Sequence, residues 1–209
     1  MKKAILLIFL ILILDQAVKF WVKTTMHLGE SHQVFGNWFI IHFTENEGMA
    51  FGMKLGGSFG KIFLSLFRII AVIIIGLWLY RMTRKKVNTG LVLCIALIMA
   101  GALGNIIDSA IYGMFFSDSS FMQIATLFPQ GGGYAGFLHG KVVDMLYFPV
   151  IETHFPAWFP FWGGDEFVFF RPVFNVADSA ITIGVFLLII FQRKFFKPAE
   201  TPASETTTV

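Results

Sequence analysis

The stretch Thr89–Ile107, TGLVLCIALIMAGALGNII, contains no charged residue and is followed at once by Asp108. A bilayer's hydrocarbon core of about 30 Å is crossed by roughly 20 apolar residues in a helix. The segment therefore reads as a membrane span that ends in an acid. Three more runs qualify on either side of it. Ala4–Val22 is apolar except for Asp15, Gln16 and Lys19; Ile62–Tyr80 carries only Arg68; Val173–Phe191 carries only Asp178. Composition agrees: of 209 residues, 56% are hydrophobic and 14% charged, with 26 phenylalanines and a mean hydropathy of +0.72. A soluble domain holds about a quarter charged residues, so a water-solvated enzyme and a disordered chain are both excluded.

Basic residues near span ends set orientation. Lys2 and Lys3, then Arg81, Arg84, Lys85 and Lys86, then Arg193, Lys194 and Lys197 fall in three short pieces. This predicts cytoplasmic termini, a cytoplasmic turn at Arg81–Asn88, and two long outward loops at about 23–61 and 108–172. Lys2–Lys3 followed by Ala4–Leu14 also looks like a signal peptide. The apolar pattern resumes through Val22 without a small-x-small cleavage site, so the segment reads as an uncleaved span. The threonine-rich tail 198–209 reads as disordered and cytoplasmic, leaving residues 1–197 as one integral-membrane unit. A net charge of +3 gives no reason to invoke nucleic acid. The lone Cys94 excludes an internal disulfide.

In the outer loops, Val34–Thr44, Lys141–Val150 and Phe167–Arg171 are rich in aromatic and β-branched residues and read as strands. The expected fold is thus a mainly α membrane protein: four transmembrane helices with a small extracytoplasmic β-sheet. Among these strands lie Gly131–Gly133, Pro149, Pro156, Pro160, Trp158 and Trp162, and tryptophan clustered at span ends suits the membrane–water interface.

Ionisable groups in or beside a span mark functional sites. Asp15 and Lys19, four apart, share a helix face and can pair. Asn46 precedes the second span. Asn105 and Asp108 close the third span with three-residue spacing, and Asn175 and Asp178 repeat it at the start of the fourth. Asp144 follows Gly140–Lys141–Val142–Val143 in the outer loop. The topology puts Asp108, Asp144 and Asp178 on one side of the membrane. Two carboxylates held close cannot both ionise easily, so one keeps a proton while the other serves as base toward water. The same three acids also fit cation binding, proton relay in a small channel or transporter, or a non-catalytic lipid-binding scaffold. Other chemistries are weaker. The five histidines lack zinc-site spacing. Gly56–Gly57–Ser58–Phe59–Gly60 matches G-x-S-x-G but lacks the α/β sheet that motif needs, and reads as a glycine loop. Lys61 and Ser65 are spaced as a Ser–Lys dyad, although a lysine at a helix end more often snorkels. Arg68 has two open readings, an acid partner or a lipid headgroup.

Five segments together carry a resemblance: Asp15–Gln16 with Lys19, Asn46–Gly52 (NEGMAFG), Gly101–Asp108 (GALGNIID), Gly140–Asp144 (GKVVD) and Phe174–Ile181 (FNVADSAI). In this order, on four spans, they resemble the motifs of lipoprotein signal peptidase, also called signal peptidase II, an aspartic protease of the bacterial inner membrane. The resemblance implies that the chain cuts the signal peptide from diacylglyceryl-modified prolipoproteins just before the lipidated cysteine, at the outer (periplasmic) face. It implies Asp144 and Asp178 as the catalytic pair. Asp15, Lys19, Asn46, Gly48, Asn105, Asp108, Asn175 and Ala177 fall on supporting or substrate-binding positions. It implies no metal and no organic cofactor, membrane lipid and prolipoprotein as partners, action as a monomer, and a flap in the first outer loop, here Phe51–Gly60. Two departures stand out. Ser109 occupies the place where the family usually has arginine, so the supporting ion pair is either missing or supplied by Arg68 or Arg171. The segments 109–140 and 151–170 are longer than usual; their aromatics are expected to lie on the outer leaflet and help admit the substrate.

Overall fold

The computed structural model describes residues 1–47, 57–85, 87–169 and 171–195. Its first element is helix α1, Lys2–Thr25, followed by strands β1, Ser31–Phe35, and β2, Phe39–Asn46. Helix α2, Gly57–Arg84, leads by a short turn to α3, Thr89–Ile107. The chain stays helical through a π-helical turn, Asp108–Tyr112, and a last α-helical turn, α4, Gly113–Phe115. Strands β3 (Val142–Tyr147), β4 (Ile151–His154), β5 (Glu166–Phe169) and β6 (Val173–Phe174) precede helix α5, Val176–Phe195. Among the described residues, four helical stretches are long and apolar enough to cross a membrane: Lys2–Thr25, Ile62–Arg84, Thr89–Phe115 and Val176–Phe195.

Several boundaries differ from the expected ones. The fourth span starts at Val176 because Val173–Phe174 pairs as β6 with β3. The third span runs on past Ile107 to Phe115. Val34–Thr44, expected as one strand, is the hairpin β1–β2, reversed at Gly36, whose φ of 49° suits a residue without a side chain. Gly57–Gly60, expected as loop, opens α2. Gly48, residues 51–56 of the expected flap and the tail 198–209 lie outside the described residues.

The main sheet has strand order β1-β2-β3-β6, all antiparallel. The strand expected at Phe167–Arg171 is not part of it. That segment gives β5, which pairs with β4 in a separate two-stranded ribbon. Stacked rings support the main sheet's edge: Phe39 lies 4.7 Å from Phe148, and Phe148 lies 5.8 Å from Phe174. Two apolar cores result. One, at the sheet end, joins Val22, Met26, Phe43, Tyr112, Phe116, Val143 and Met145. The other, at the opposite end, joins Ala4, Leu79, Met82, Leu91, Val92, Ile95 and Ala96. Large apolar residues such as Phe9, Ile13, Phe67, Ile74 and Phe186 remain exposed along the helices, as lipid-facing side chains do.

Helix ends and close approaches fix the bundle. The Asn88 side chain accepts from Gly90 N–H at 2.8 Å and starts α3. At Gly101 an added Cβ would stand 2.1 Å from the Ala177 carbonyl oxygen, and at Gly104 2.6 Å from Asp15 Oδ2. These two glycines let α1 and α5 press against α3 where the polar residues gather. The long segment after Asp108 does not stream away. It returns along the α3 extension through Tyr134 N–H to Phe116 O, Ala135 N–H to Gly113 O and Gly140 N–H to Ser109 O. A buried Lys23–Glu45 ion pair, with Ser119 Oγ 2.8 Å from Lys23 Nζ, ties that segment to α1 and β2.

Candidate active site

Lys19 is the hub. Its ammonium is fully buried and lies 2.9 Å from Asp15 Oδ2, 2.8 Å from Asp108 Oδ2 and 2.9 Å from Asn105 Oδ1. The i,i+4 pair expected on α1 is present, and the Asn105–Asp108 face of α3 is turned onto it. A buried charge is tolerable only when paired and fully hydrogen-bonded, and three acceptors satisfy all three ammonium hydrogens.

Each acid in this hub also holds another element. Asp15 Oδ1 accepts from the Ala177 N–H at 2.8 Å, satisfying a first-turn amide of α5 from a different helix. Asp108 Oδ2 accepts from Val143 N–H at 3.2 Å and so fixes β3 one residue before Asp144. Gln16 donates to Asp108 Oδ1 at 2.9 Å and accepts from Tyr112 Oη at 3.2 Å. Gln16 and Lys23 were not singled out from the sequence as site residues. The available signal was the polar stripe 15, 16, 19, 23, of which the last member lay just past the expected end of the first span.

Asn175 is not on the fourth helix as its spacing suggested. It is the residue before the first turn, and its Oδ1 accepts from Asp178 N–H at 2.8 Å. Its Nδ2 donates to Asp144 Oδ1 at 2.7 Å and lies 3.1 Å from Asn105 Oδ1. Asn105 Nδ2 donates to Asp178 Oδ1 at 2.8 Å. Asp144 and Asp178, 34 positions apart, thus each receive one amide donor from a linked Asn pair. Asp144 sits in β3 opposite Thr44, and its residue is 4% exposed. Burial, and next the Asp178 carboxylate, push its acid up to about 7. Asp178, at the first turn of α5, is half-buried. One carboxyl that keeps its proton near neutrality beside a second, more open one can act together as acid and base.

The remaining expected residues divide. Asn46 ends β2 opposite Val142, two positions from Asp144. Gly48 lies outside the described residues. Ser109 donates its hydroxyl to Asn105 O at 3.0 Å, so it supports the same helix turn; the cation on Asp108 is Lys19. Arg68 lies within electrostatic reach of Asp178, Asp144 and Asp108, which favours an acid-facing reading over a lipid headgroup. Ser65 Oγ points to the Leu138 carbonyl at 3.4 Å.

The family model described as signal peptidase (SPase) II matches residues 7–194. A lipoprotein signal peptidase of Porphyromonas gingivalis (strain ATCC 33277) is 58% identical over 185 residues, covering 88% of this chain and 80% of that one. One from Amoebophilus asiaticus is 35% identical, covering 88% of this chain and 75% of that one. A solved bacterial membrane enzyme, 28% identical, superposes with a TM-score of 0.62 over 96% of this chain and 95% of that one.

Proposed function

The chain belongs to the signal peptidase II family, and from that premise we propose that it cleaves by aspartic chemistry carried by Asp144 and Asp178. As a member of that family it is a multi-pass inner-membrane protease that removes signal peptides from lipoproteins. Ion or proton conduction, open on pattern alone, has no support among its relatives. The observation that carries the aspartic assignment is the paired amide grip: Asn175 on Asp144 at 2.7 Å and Asn105 on Asp178 at 2.8 Å, with the two asparagines joined to each other.

The mechanism follows from the unequal surroundings of the two acids. Asp144, buried and facing a second carboxylate, enters the cycle protonated. Asp178 is the base. A water between them gives a proton to Asp178 as its oxygen attacks the scissile carbonyl carbon. Asp144 gives its proton to the carbonyl oxygen, forming a neutral gem-diol. Collapse returns that proton to Asp144 and passes the other from Asp178 to the departing amine. Lys19, Asp15, Asp108, Asn105 and Asn175 do not react; they hold the two carboxylates within reach of one water. Asn46, Gly48 and Ala177 belong to the supporting and substrate-binding set.

The substrate proposed is a prolipoprotein already carrying diacylglycerol, cut before the modified cysteine. Its scissile bond then lies at the membrane surface, at the level of the sheet end of the bundle. That end faces outward if the basic pieces Lys2–Lys3, Arg81–Lys86 and Arg193–Lys197 are cytoplasmic. The same reading has the chain act as a monomer in contact with lipid. The deciding experiment is cleavage of a diacylglyceryl-modified prolipoprotein by purified protein in detergent, beside Asp144→Asn and Asp178→Asn. The wild type is expected to cut, unaffected by serine reagents or chelators, and both variants to be inactive. Turnover surviving in both would overturn the assignment.

A further inference from the structure

Along α2 one stripe is buried and the rest faces outward. Ser65 is 4% exposed, and Val72 and Leu79 are 8% each, whereas Phe63, Phe67, Ile70 and Ile74 are all more than half exposed. Arg68 lies three residues after Ser65 and four before Val72, so it sits on the buried stripe. Ser65 Oγ is held by the Leu138 carbonyl, and Leu138 N–H bonds to Ala110 O on the extension of α3. This brings the Ser65–Arg68 turn beside the end of α3 that carries Asn105 and Asp108.

The charged groups that converge there are Asp15 and Lys19 from α1, Asp108 from α3, Asp144 from β3 and Asp178 from α5. Lys19 is committed to Asp15, Asp108 and Asn105. Four carboxyls thus share one fully engaged ammonium. Arg68 stands within electrostatic reach of three of them, Asp178 foremost. An arginine inside a span is costly unless it faces the protein interior and a counter-charge, and a guanidinium keeps its charge at any working pH.

We propose that Arg68 is a positioning residue of the cleavage reaction, whose guanidinium offsets the excess negative charge of the site around Asp178, the base. The proposal rests on the Asp144–Asp178 reading and deepens it. Asp15, Asp108 and Asp144 all bring carboxyl groups toward Asp178. Arg68 opposes them from α2, a helix that gives the network no carboxylate.

The test uses the full chain in detergent with a diacylglyceryl-modified prolipoprotein, comparing wild type, Arg68→Gln and Arg68→Lys from about pH 4 to about pH 9. With Arg68→Gln the acidic limb of the kcat profile should move up by about one pH unit. At pH values below both midpoints kcat should fall by up to about tenfold, with KM within about twofold. Arg68→Lys should restore the limb to within a few tenths of a unit. An acidic limb that stays in place in folded Arg68→Gln overturns the proposal, as does an equal shift in Arg68→Lys. Should Arg68→Gln not fold, Arg68→Met decides, because it also removes the charge at every pH and its limb must also move upward; an unmoved limb overturns the idea. Asp144→Asn and Asp178→Asn run alongside. If either of these still cleaves, it is the aspartic assignment that fails rather than the role of Arg68.

Discussion

Asn105 donates its Nδ2 to Asp178 Oδ1 at 2.8 Å while its Oδ1 is held 2.9 Å from Lys19 Nζ. The orientation of the amide is therefore set by a charge on a different helix. A cation can only face the oxygen side, so the nitrogen side must face the carboxylate. Removing the cation leaves that oxygen only the Asn175 Nδ2 donor at 3.1 Å and strands Asp15 and Asp108 in a buried site.

Lys19→Met is expected to be the most damaging single change outside the pair. Loss of one partner from a buried ion cluster costs about 3–5 kcal/mol, here shared between two acids. Thermal unfolding in detergent should drop sharply and yield should fall. Asn105→Ser is the milder probe. It keeps both carboxylates on Lys19 but removes that lysine's third acceptor and the donor to Asp178, and should lower kcat by about 10- to 100-fold with a smaller drop in melting temperature than Lys19→Met. A kcat equal to wild type in folded Asn105→Ser would disconnect Asn105 from the reaction.

The pH profile carries a second prediction. Burial and Asp178 raise Asp144 to about 7 from an ordinary 3.8, and the mechanism needs that proton. Cleavage should therefore decline as pH rises through about 7, approaching tenfold per unit beyond it. The same shift acts on stability with a definite sign. An acid raised on folding is neutral in both states at low pH. Between its unfolded and folded values the unfolded state alone releases the proton, so stability is lost from about pH 4 up to about 7 and then levels off. Asp144→Asn removes that loss. The inactive variant should melt higher than wild type at about pH 8, with the difference shrinking toward about pH 4. A difference independent of pH would mean that Asp144 is not the strained acid.

Much of this was legible in the sequence because lipid makes polar residues conspicuous. Asp15, Lys19, Asn105, Asp108 and Asp178 stand out against apolar spans, and all five meet in one network. Spacing also gave the Asp15–Lys19 pair correctly, since i,i+4 geometry is local. The same reasoning misplaced Asn175, because a helix start is decided by where a strand stops. Val173–Phe174 is claimed by β3 through Leu146 and Tyr147, a non-local pairing that no window of sequence displays. The separate β4–β5 ribbon was missed for the same reason: strand character can be read from Phe167–Arg171, but its partner cannot. Gln16 escaped because an uncharged amide beside an aspartate looks incidental until Asp108 arrives from another helix.

The aromatic tip of that ribbon supports a third prediction. Trp158 is 78% exposed and Phe161 96%, while Phe155, Phe159 and Trp162 stack among themselves. The ribbon is rooted between β3, which bears Asp144, and β6, which leads into Asp178. Such side chains favour the membrane–water interface over bulk water. Trp158→Ser with Phe161→Ser is expected to raise KM for lipidated substrate in bilayer vesicles several-fold and to leave kcat nearly unchanged. The same pair of changes should matter less in detergent micelles. An unchanged KM in vesicles would remove the ribbon from substrate admission.

Helix packing supplies the last prediction. The Gly101 position lies so close to α5 that an added Cβ would stand 2.1 Å from Ala177 O and 2.7 Å from Ile181 Cγ1. The contact is with backbone, so it cannot be relieved by a rotamer change. Gly101→Ala must push α5 away from α3. Overpacking of this kind typically costs about 1–3 kcal/mol. The displacement acts next to Ala177, whose N–H is held by Asp15, and one residue from Asp178, whose carboxylate is held by Asn105. A shift of about 1 Å there is enough to reduce catalysis by about 100-fold. Activity should therefore fall further than stability: kcat down by one to two orders of magnitude, in a protein that still folds and melts only several degrees lower. Gly184→Ala is the control. Its Cβ would also crowd α3, at 2.9 Å from Cys94 O, but two turns away from the acids. It should lower the melting temperature comparably and spare kcat. Equal losses of kcat in the two variants would show that helix separation anywhere in the bundle, and not the Asn105–Asp178 contact, governs turnover.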